Sequence, residues 1–330
     1  MQIDVVGGGS LGLLYGAKLA DAGADVTIWT RSMEQAVQLA EQGIRLIEVD
    51  GISERVIRVK SEWMEHASLR EWNKDQNSKS AGYNWLLLTV KQTDLNDHLL
   101  KKLALLTNGP ENEAAAMMCL QNGVGHLERI QEALPNLPLH AAVTTEGAKR
   151  LDSRTVAHTG KGQLWLGEWG GNGRKGDETL AISQKMLVSM LQSAGFASSL
   201  SNDLENRIFH KLLINAVINP LTAIYDVENG QLPAHPAREK LMRELYMETE
   251  HVLVKAGMAM PEDGWQLIID VCRQTSRNIS SMLSDIRAGR VTEIDAINGG
   301  VTRLAAKHGL QAPLNLAITE LVQALHPKAE

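Results

Sequence analysis

Cysteines, clusters of basic residues and long apolar runs are all scarce in this 330-residue chain. The two cysteines, Cys119 and Cys272, stand far apart without the spacing of metal ligands, which predicts reduced core thiols in a cytoplasmic protein. No run of lysine and arginine forms a basic stripe, so nucleic acid is not an expected partner. The first residues lack the basic start and apolar stretch of a signal peptide, and no stretch holds the roughly 18 apolar residues of a membrane span. We therefore expect a cytoplasmic protein with no membrane partner.

The remaining composition is that of an ordinary globular protein, with 44% hydrophobic residues and a formal net charge of -6. The length suits two domains, at roughly one per 150 residues. Up to Asn202, short apolar runs alternate with amphipathic stretches, which is typical of βαβ units around a parallel sheet. Beyond it, helical patterns dominate. The sequence predicts an α/β domain over residues 1–202 and an all-helical domain over residues 203–330.

Local patterns give bounds for individual elements. The predicted strands are Gln2–Val6, Asp25–Thr30, Trp85–Val90, Ala116–Leu120, His140–Thr144 and Phe196–Leu200. The predicted helices are Leu11–Ala22, Glu178–Ser193, Leu204–Ile218, Pro236–Ala256, Asp263–Asp285 and Glu293–His308. Two β-type runs joined by glycines predict a β-hairpin over Thr155–Glu168, and its His158 is expected outside any active site. The polar stretch Glu62–Tyr83 predicts a helical or loop insertion.

A glycine-rich loop follows the first predicted strand directly and opens the first helix. In GGGSLG, Gly7, Gly9 and Gly12 form G-x-G-x-x-G in the context that dinucleotide binding requires. The first glycine permits a tight turn, the second lets a diphosphate approach the backbone, and the third lets helix and strand pack closely. Backbone N–H groups at the helix start, around Ser10 and Leu11, would face the phosphates. The loop predicts a Rossmann-type domain that binds a nicotinamide dinucleotide; the alternative is a glycine turn without a ligand.

The end of the second predicted strand bears on the choice of cofactor. NAD-binding domains usually carry Asp or Glu there, whereas this chain has TIWTRSME, with Arg31 between Thr30 and Ser32. A guanidinium can pair with the 2′-phosphate of NADP, and no carboxylate stands at the strand end to repel it. Glu34 is nearby but is expected inside the next turn. The pattern favours NADP, with a solvated surface arginine as the alternative.

Three polar residues lie on the otherwise apolar helix HKLLINAVINPLTA. Lys211, Asn215 and Asn219 are four residues apart, so they form a line along one face. A lysine buried beside two amides needs a partner, for which a substrate carbonyl is a candidate. The alternatives are a lysine that extends to solvent along an apolar surface, and an Asn219 that caps a helix ending before Pro220.

Several motifs together resemble the ketopantoate reductase (2-dehydropantoate 2-reductase) family over nearly the full chain. They are GGGSLG, LLLTVKQTD, LQNGVG, HKLLINAVINPLTA, ENG and SSMLSDIRAGRVTEIDAINGG. The resemblance implies reduction of ketopantoate with NADPH to (R)-pantoate, for pantothenate and coenzyme A synthesis. It also implies a small-molecule 2-keto acid as the partner.

The resemblance assigns roles to particular residues. It implies that Lys211 and Glu293 are catalytic. The residues implied to bind the substrate are Asn122, Asn215, Asn219, Asn229 and Ser281. The residues expected to bind the cofactor are Gly7, Gly9, Ser10, Leu11, Gly12, Arg31, Lys91 and Asn122.

Structural alternatives remain for three of these residues. Thr292-x-x-Asp295 is a capping-box pattern, which would account for Glu293 as a residue of a helix start. Asn122 begins a common Asn-Gly turn, and Lys91 could be a plain loop lysine.

Two other functions remain open. One is reduction of another branched 2-keto acid, and the other is a non-catalytic NADP-binding redox sensor. If the protein were such a sensor, we would expect another residue in place of Lys211 or Glu293, but both are present. An apolar face on the helical domain could support a homodimer.

Overall fold

The computed structural model describes residues 1–69, 83–107, 115–170, 177–260 and 262–326. The chain divides into two compact units. The first comprises Met1–Gln121 and His126–Leu204, and the second comprises Asn122–Gly125 and Glu205–Glu330.

The first unit is an α/β unit. Its strands are β1 (Gln2–Val6), β2 (Asp25–Thr30), β3 (Ile44–Ile47), β4 (Glu54–Ile57), β5 (Lys60–Trp63), β6 (Asn84–Leu88), β7 (Ala115–Cys119), β8 (Leu139–Thr144), β9 (Gly147–Arg150), β10 (Thr155–Gly160), β11 (Gln163–Glu168) and β12 (Ala197–Leu200). Its helices are α1 (Ser10–Asp21), α2 (Met33–Gln42), α3 (Asp97–Thr107), α4 (His126–Ala133) and α5 (Glu178–Ser193). The strands and helices that the sequence predicts within this first unit, apart from the hairpin, are found within two residues of their predicted bounds.

The main sheet of this unit has the order β12-β11-β8-β7-β6-β1-β2-β5. The six strands from β8 to β5 are parallel, and their order is that of a Rossmann-type doubly wound sheet. Parallel strands end at the same edge, so the segments after β1, β2, β6 and β7 meet there. This arrangement confirms the predicted fold class and gathers the candidate cofactor residues at the edge where such sheets bind ligands.

The predicted hairpin Thr155–Glu168 is wrong. β10 pairs with β3 and β9 in a separate four-stranded sheet, whereas β11 pairs with β8 and β12 in the main sheet. The chain changes sheets around Gly162, whose added Cβ would lie 2.3 Å from the Thr145 carbonyl carbon. Two β-type runs joined by glycines suit a hairpin and a change of sheet equally well, and only distant pairing partners decide between them.

His158 on β10 is buried in the first unit. Its Nε2 lies 2.6 Å from Oε2 of Glu146, and both side chains are 2% exposed. Since a polar group removed from water needs a partner, each side chain stabilises the burial of the other. The pair joins the connection after β8 to the smaller sheet.

We expect His158→Ala to lower the free energy of unfolding by about 3 kcal/mol, because it leaves the buried Glu146 carboxylate without this partner. Urea denaturation measures the change. The matched control is His98→Ala, because His98 contacts Glu65 at 2.7 Å but its side chain is 63% exposed. A loss for His158→Ala no larger than that of the control would contradict the structural role of the pair.

The second unit is helical. Its helices are α6 (Leu204–Tyr225), α7 (Pro236–Lys255), α8 (Gly264–Gln274), α9 (Ser281–Arg287), α10 (Ile294–Lys307) and α11 (Pro313–Gln323). Its core is formed largely by apolar side chains of these helices, with α6 contributing from Phe209 to Ala223. By length and composition α6 could cross a membrane, but most of its residues are buried, as in the core helix of a soluble protein.

The sequence predicts that helix α6 ends before Pro220, but the helix continues to Tyr225. Proline at 220 removes the N–H that would bond to the carbonyl of Ala216, four residues earlier. The buried Asn298 on α10 replaces it, since its Nδ2 donates to Ala216 O at 2.9 Å. The capping alternative for Asn219 is therefore wrong, because the residue lies inside the helix.

The single helix predicted over Asp263–Asp285 is also wrong, since two helices occupy this span. The hydroxyl of Ser280 accepts a hydrogen bond from the N–H of Leu283 at 3.0 Å and so starts α9. In the segment between the helices, the carbonyls of Ser276 and Asn278 accept backbone bonds from Gly230 and Asn229. These tertiary hydrogen bonds interrupt the helix, and the local sequence periodicity does not reveal them.

The predicted insertion Glu62–Tyr83 lies partly within the described residues. It starts inside β5 and continues as a 3₁₀ helix over Met64–Leu69. Residues 70–82 lie outside the described part of the chain.

Candidate functional site

The glycine loop after β1 has the geometry that its sequence predicts. Gly7 has φ +117°, a conformation that other residues rarely adopt. A Cβ on Gly12 would lie 1.9 Å from the carbonyl oxygen of Gly7, so only glycine fits there. Around Gly9, in contrast, no heavy atom of the described residues, apart from those of its own chain neighbours, lies within 4 Å of an added Cβ. The loop thus combines a tight turn, close packing and open space where a diphosphate would approach.

The N-terminus of α1 is suited to an anion. The helix begins at Ser10 with Gly9 as its N-cap, and within the described chain no side chain caps it and no acidic residue occupies its first turn. The N–H groups around Ser10 and Leu11 and the positive end of the helix dipole therefore remain suited to phosphate.

Two residues that the sequence analysis missed hold this loop in place. Gln35 on α2 donates from Nε2 to Gly8 O at 2.9 Å, and Arg150 donates from Nη1 to the same oxygen at 3.0 Å. The backbone N–H of Arg150 also donates to Oγ of Ser10 at 3.0 Å. Neither residue belongs to the glycine motif, so only the tertiary structure reveals their support of it.

Arg31 follows β2 directly, and its side chain is 89% exposed. Its Nη1 lies 3.2 Å from Oδ1 of Asp94, in the turn after β6. The end of β2 carries no carboxylate of its own, as the sequence shows, but Asp94 brings one to Arg31 from a distant part of the chain, because β2 and β6 both neighbour β1 and end at the same edge. Glu34 lies in the first turn of α2, as predicted.

Lys91 lies at the same edge, immediately before the turn Gln92–Asp94, and is half-buried. The neighbouring Gln92 is oriented by His126, whose Nδ1 lies 2.8 Å from Nε2 of Gln92. Burial lowers the pKa of His126 to about 4, so its ring is neutral at physiological pH and Nδ1 can accept the amide hydrogen. This contact, which the sequence analysis did not identify, fixes the residue after Lys91.

In the helical unit, Lys211, Asn215 and Asn219 all lie within α6. Lys211 and Asn215 are half-buried, and Asn219 is 8% exposed. Buried apolar residues surround them along the helix, namely Leu212, Leu213, Ala216, Val217, Ile218 and Leu221. The polar line predicted from spacing is therefore set in an apolar helix surface.

Glu293 is positioned by the start of α10. It is the N-cap residue of that helix, but its side chain makes no capping bond within the described structure. The predicted capping box is wrong, because Thr292 lies outside the cap and its hydroxyl contacts His326 Nε2 at 2.8 Å. The Glu293 carboxylate instead accepts a hydrogen bond from Nδ2 of Asn122 at 3.1 Å.

The loop that carries Asn122 packs on α10. Val124 donates its N–H to the carbonyl of Ala296 at 3.1 Å, and a Cβ on Gly123 would lie 2.3 Å from that oxygen. Gly123 also has φ +81°, so both conformation and space require glycine. Asn122-Gly123 is thus a turn, which is the structural alternative given for Asn122 in the sequence analysis. This turn also positions the amide of Asn122 next to Glu293.

Opposing effects set the pKa of the Lys211 ammonium group. Burial disfavours the charged form and lowers the pKa, the negative charge of Glu293 partly offsets that shift, and the resulting pKa is about 8. The result is an ammonium group that is largely protonated near neutral pH and loses its proton more readily than an exposed lysine. Such a group can donate a proton to an oxygen that becomes basic during a reaction.

Asn229 and Ser281 occupy different environments. Asn229 is 8% exposed, and its Nδ2 donates to the Thr275 hydroxyl at 2.9 Å, while its buried Oδ1 has no hydrogen-bond partner among the described residues. Ser281 is the exposed first residue of α9, whereas the neighbouring Ser280 is buried and caps that helix. Asn229 thus retains an unused acceptor, and Ser281 has an exposed hydroxyl.

Comparison with known protein families covers nearly the whole chain. Residues 3–171 match the family described as ketopantoate reductase PanE/ApbA, and residues 203–326 match the family described as ketopantoate reductase PanE/ApbA, C terminal. A 2-dehydropantoate 2-reductase of Bacillus subtilis (strain 168) is 31% identical over 94% of this chain and 93% of its own length.

Solved structures give the same result. The crystal structure of a probable 2-dehydropantoate 2-reductase (panE) from Bacillus subtilis is 29% identical, with a TM-score of 0.78, over 99% of this chain and 100% of its own. A ternary structure of D-mandelate dehydrogenase with NADH and anilino(oxo)acetate is 25% identical, with a TM-score of 0.82, over 98% of each chain. The chain is therefore similar over nearly its full length to a probable 2-dehydropantoate 2-reductase and to a dehydrogenase whose structure contains NADH.

Proposed function

Because the chain belongs to the ketopantoate reductase family, we propose that it reduces 2-dehydropantoate to (R)-pantoate with NADPH. The observation that carries the proposal is the group formed by Lys211, Glu293 and Asn122. The Lys211 ammonium has a lowered pKa and interacts electrostatically with the Glu293 carboxylate. That carboxylate accepts a hydrogen bond from the amide of Asn122. A proton donor of this kind is what ketone reduction requires.

The first unit suits a dinucleotide. The open space at Gly9 and the uncapped start of α1 would receive the diphosphate. Lys91, which follows β6, would contact the cofactor at the same edge of the sheet. Bound NADPH would supply the hydride for the carbonyl carbon of the substrate.

The residues of the helical unit would supply the proton and the binding groups. As the carbonyl oxygen gains negative charge, the Lys211 ammonium stabilises it electrostatically and then transfers a proton to it. Lys211 becomes neutral and regains a proton from water. The Glu293 carboxylate favours the protonated form of Lys211, and Asn122 keeps that carboxylate oriented. Asn215, Asn219, Asn229 and Ser281 would bind the carboxylate and hydroxyl of the substrate.

The preference for NADPH is proposed from Arg31, whose exposed guanidinium follows β2. We expect Arg31→Ala to raise the Kd for NADPH about tenfold, because a charge-assisted contact with the 2′-phosphate is lost, and to change the Kd for NADH little. Titration of both cofactors measures the two constants. Arg45→Ala, which removes an arginine paired with Glu54 in the smaller sheet, is the control. An unchanged ratio of the two constants would refute the role of Arg31.

One alternative substrate class is favoured by a specific observation. The similar D-mandelate dehydrogenase is a structure with NADH and anilino(oxo)acetate, so a related fold handles a different 2-keto acid derivative. Another branched or aromatic 2-keto acid is therefore the second candidate. A non-catalytic redox sensor would not need Lys211 and Glu293 together, which counts against it.

Product analysis tests the proposal. The protein is incubated with 2-dehydropantoate and excess NADPH, and the products are separated by chiral chromatography. The proposal predicts (R)-pantoate in an amount equal to the NADPH consumed, and unchanged 2-dehydropantoate would refute it. The cytoplasmic location and the homodimer stay predictions, the latter accessible to light scattering.

A further inference from the structure

The ion pair between Arg31 and Asp94 places a negative charge where the proposed cofactor also has one. The two side chains meet at 3.2 Å and are 89% and 44% exposed. Asp94 approaches from the turn after β6, and Arg31 from the end of β2. A group that binds to the Arg31 guanidinium must therefore displace Asp94 or share the guanidinium with it.

The backbones of both residues are held in place. The N–H of Asp94 donates to Lys91 O at 3.0 Å, and its carbonyl accepts from the N–H of Asn96 at 3.0 Å. The carbonyl of Arg31 accepts a hydrogen bond from Nε1 of Trp63 at 3.1 Å. Because the Asp94 turn is closed by these bonds and its side chain is short, its carboxylate stays near this position, whereas the long exposed arginine side chain can turn.

The strength of this ion pair decides what happens when a phosphate arrives. An ion pair between exposed side chains contributes little to stability, so a phosphate can take the guanidinium from Asp94. Asp94 then remains nearby as an unneutralised carboxylate and repels the phosphate. A cofactor with a free 2′-hydroxyl carries no such charge, and a carboxylate can accept its hydrogen bond.

We propose that Asp94 is a cofactor-specificity residue, which weakens the binding of a 2′-phosphorylated dinucleotide by competing for Arg31 and repelling the phosphate. The inference rests on the proposed function, in which Arg31 receives that phosphate. It implies that this chain discriminates less strongly between NADPH and NADH than the arginine alone would allow.

Calorimetric titration of the whole protein without substrate tests the inference. The variants are Asp94→Asn and, as a matched control, Asp97→Asn, which removes a carboxylate three residues away that is 87% exposed and paired with Arg129. The ligands are NADPH, NADH and the fragment adenosine 2′,5′-bisphosphate, each titrated at low salt and at about 0.5 M salt.

We expect Asp94→Asn to tighten NADPH and the bisphosphate about 3- to 10-fold at low salt, with a smaller gain at high salt. NADH binding should change less than about twofold, and Asp97→Asn should change none of the three constants by more than that. Weaker NADPH binding by Asp94→Asn would mean that Asp94 orients Arg31 for the phosphate, and would overturn the inference. Equal changes for NADPH and NADH, or none, would overturn it as well.

The failure of this inference is distinguishable from failure of the proposed function. Binding is measured without a keto acid, so a wrong substrate assignment leaves the predicted difference between the variants intact. If neither the parent chain nor Asp94→Asn binds the bisphosphate, the NADPH assignment and the inference both fall. If both bind it equally well, only the inference falls.

Discussion

Replacement of Lys211 by alanine is expected to lower kcat for 2-dehydropantoate reduction by about 10²- to 10⁴-fold, the usual effect of losing a general acid. The ammonium group is proposed to stabilise the charge on the carbonyl oxygen and to protonate it, and no alanine side chain can do either. Since the glycine loop lies in the first unit and Lys211 in the second, NADPH binding should be retained. Steady-state kinetics and a separate NADPH titration measure the two quantities.

Lys240→Ala is the matched control for Lys211→Ala. It removes a lysine whose side chain is 79% exposed on α7, so kcat should stay within about twofold of the parent value. A Lys211→Ala enzyme that keeps most of its kcat would refute the proton-donor role. A loss of NADPH affinity that accounts for the whole effect would assign Lys211 to cofactor binding instead.

The second large effect is a displaced pH profile in Glu293→Gln. With its pKa of about 8, Lys211 should be protonated and active below that pH, so the parent kcat should fall as the pH rises through this value. Glu293 raises the pKa of Lys211, and its neutralisation should therefore lower that pKa and move the alkaline fall of kcat to lower pH. A displacement of about one to three pH units corresponds to the loss of a nearby opposite charge.

Glutamine at 293 retains a side-chain oxygen that can accept the hydrogen bond from Asn122, so the variant changes charge more than shape. Asp295→Asn is the control, because it neutralises an exposed carboxylate in the first turn of α10 that accepts from Nε2 of Gln323. Its profile should match that of the parent. An alkaline limb that stays in place in Glu293→Gln would contradict the electrostatic coupling to Lys211.

Features encoded within one short segment could be predicted from the sequence. The glycine loop is an example, since the tight turn at Gly7 and the contact of Gly12 with the Gly7 carbonyl follow from a strand, a loop and a helix in direct succession. The polar line on α6 is another, because helical periodicity alone aligns Lys211 with the two asparagines.

Features that depend on distant partners were mispredicted or missed. The passage of α6 through Pro220 depends on Asn298, which supplies the missing donor from another helix. The carboxylate beside Arg31 comes from the turn after β6. The predicted hairpin Thr155–Glu168 does not form because β10 pairs with strands of a second sheet. Local propensity contains no information on these contacts, since they arise only from tertiary packing.

The most direct test of the central claim is kcat/KM of the parent protein for a panel of 2-keto acids, with NADPH and with NADH as the reductant. The panel holds 2-dehydropantoate, other branched 2-keto acids and an aromatic 2-keto acid. The account predicts that 2-dehydropantoate with NADPH gives the highest kcat/KM, above every other combination. A higher value for another keto acid would contradict the assigned substrate, and no turnover of any keto acid by a protein that binds NADPH would contradict the enzymatic function itself.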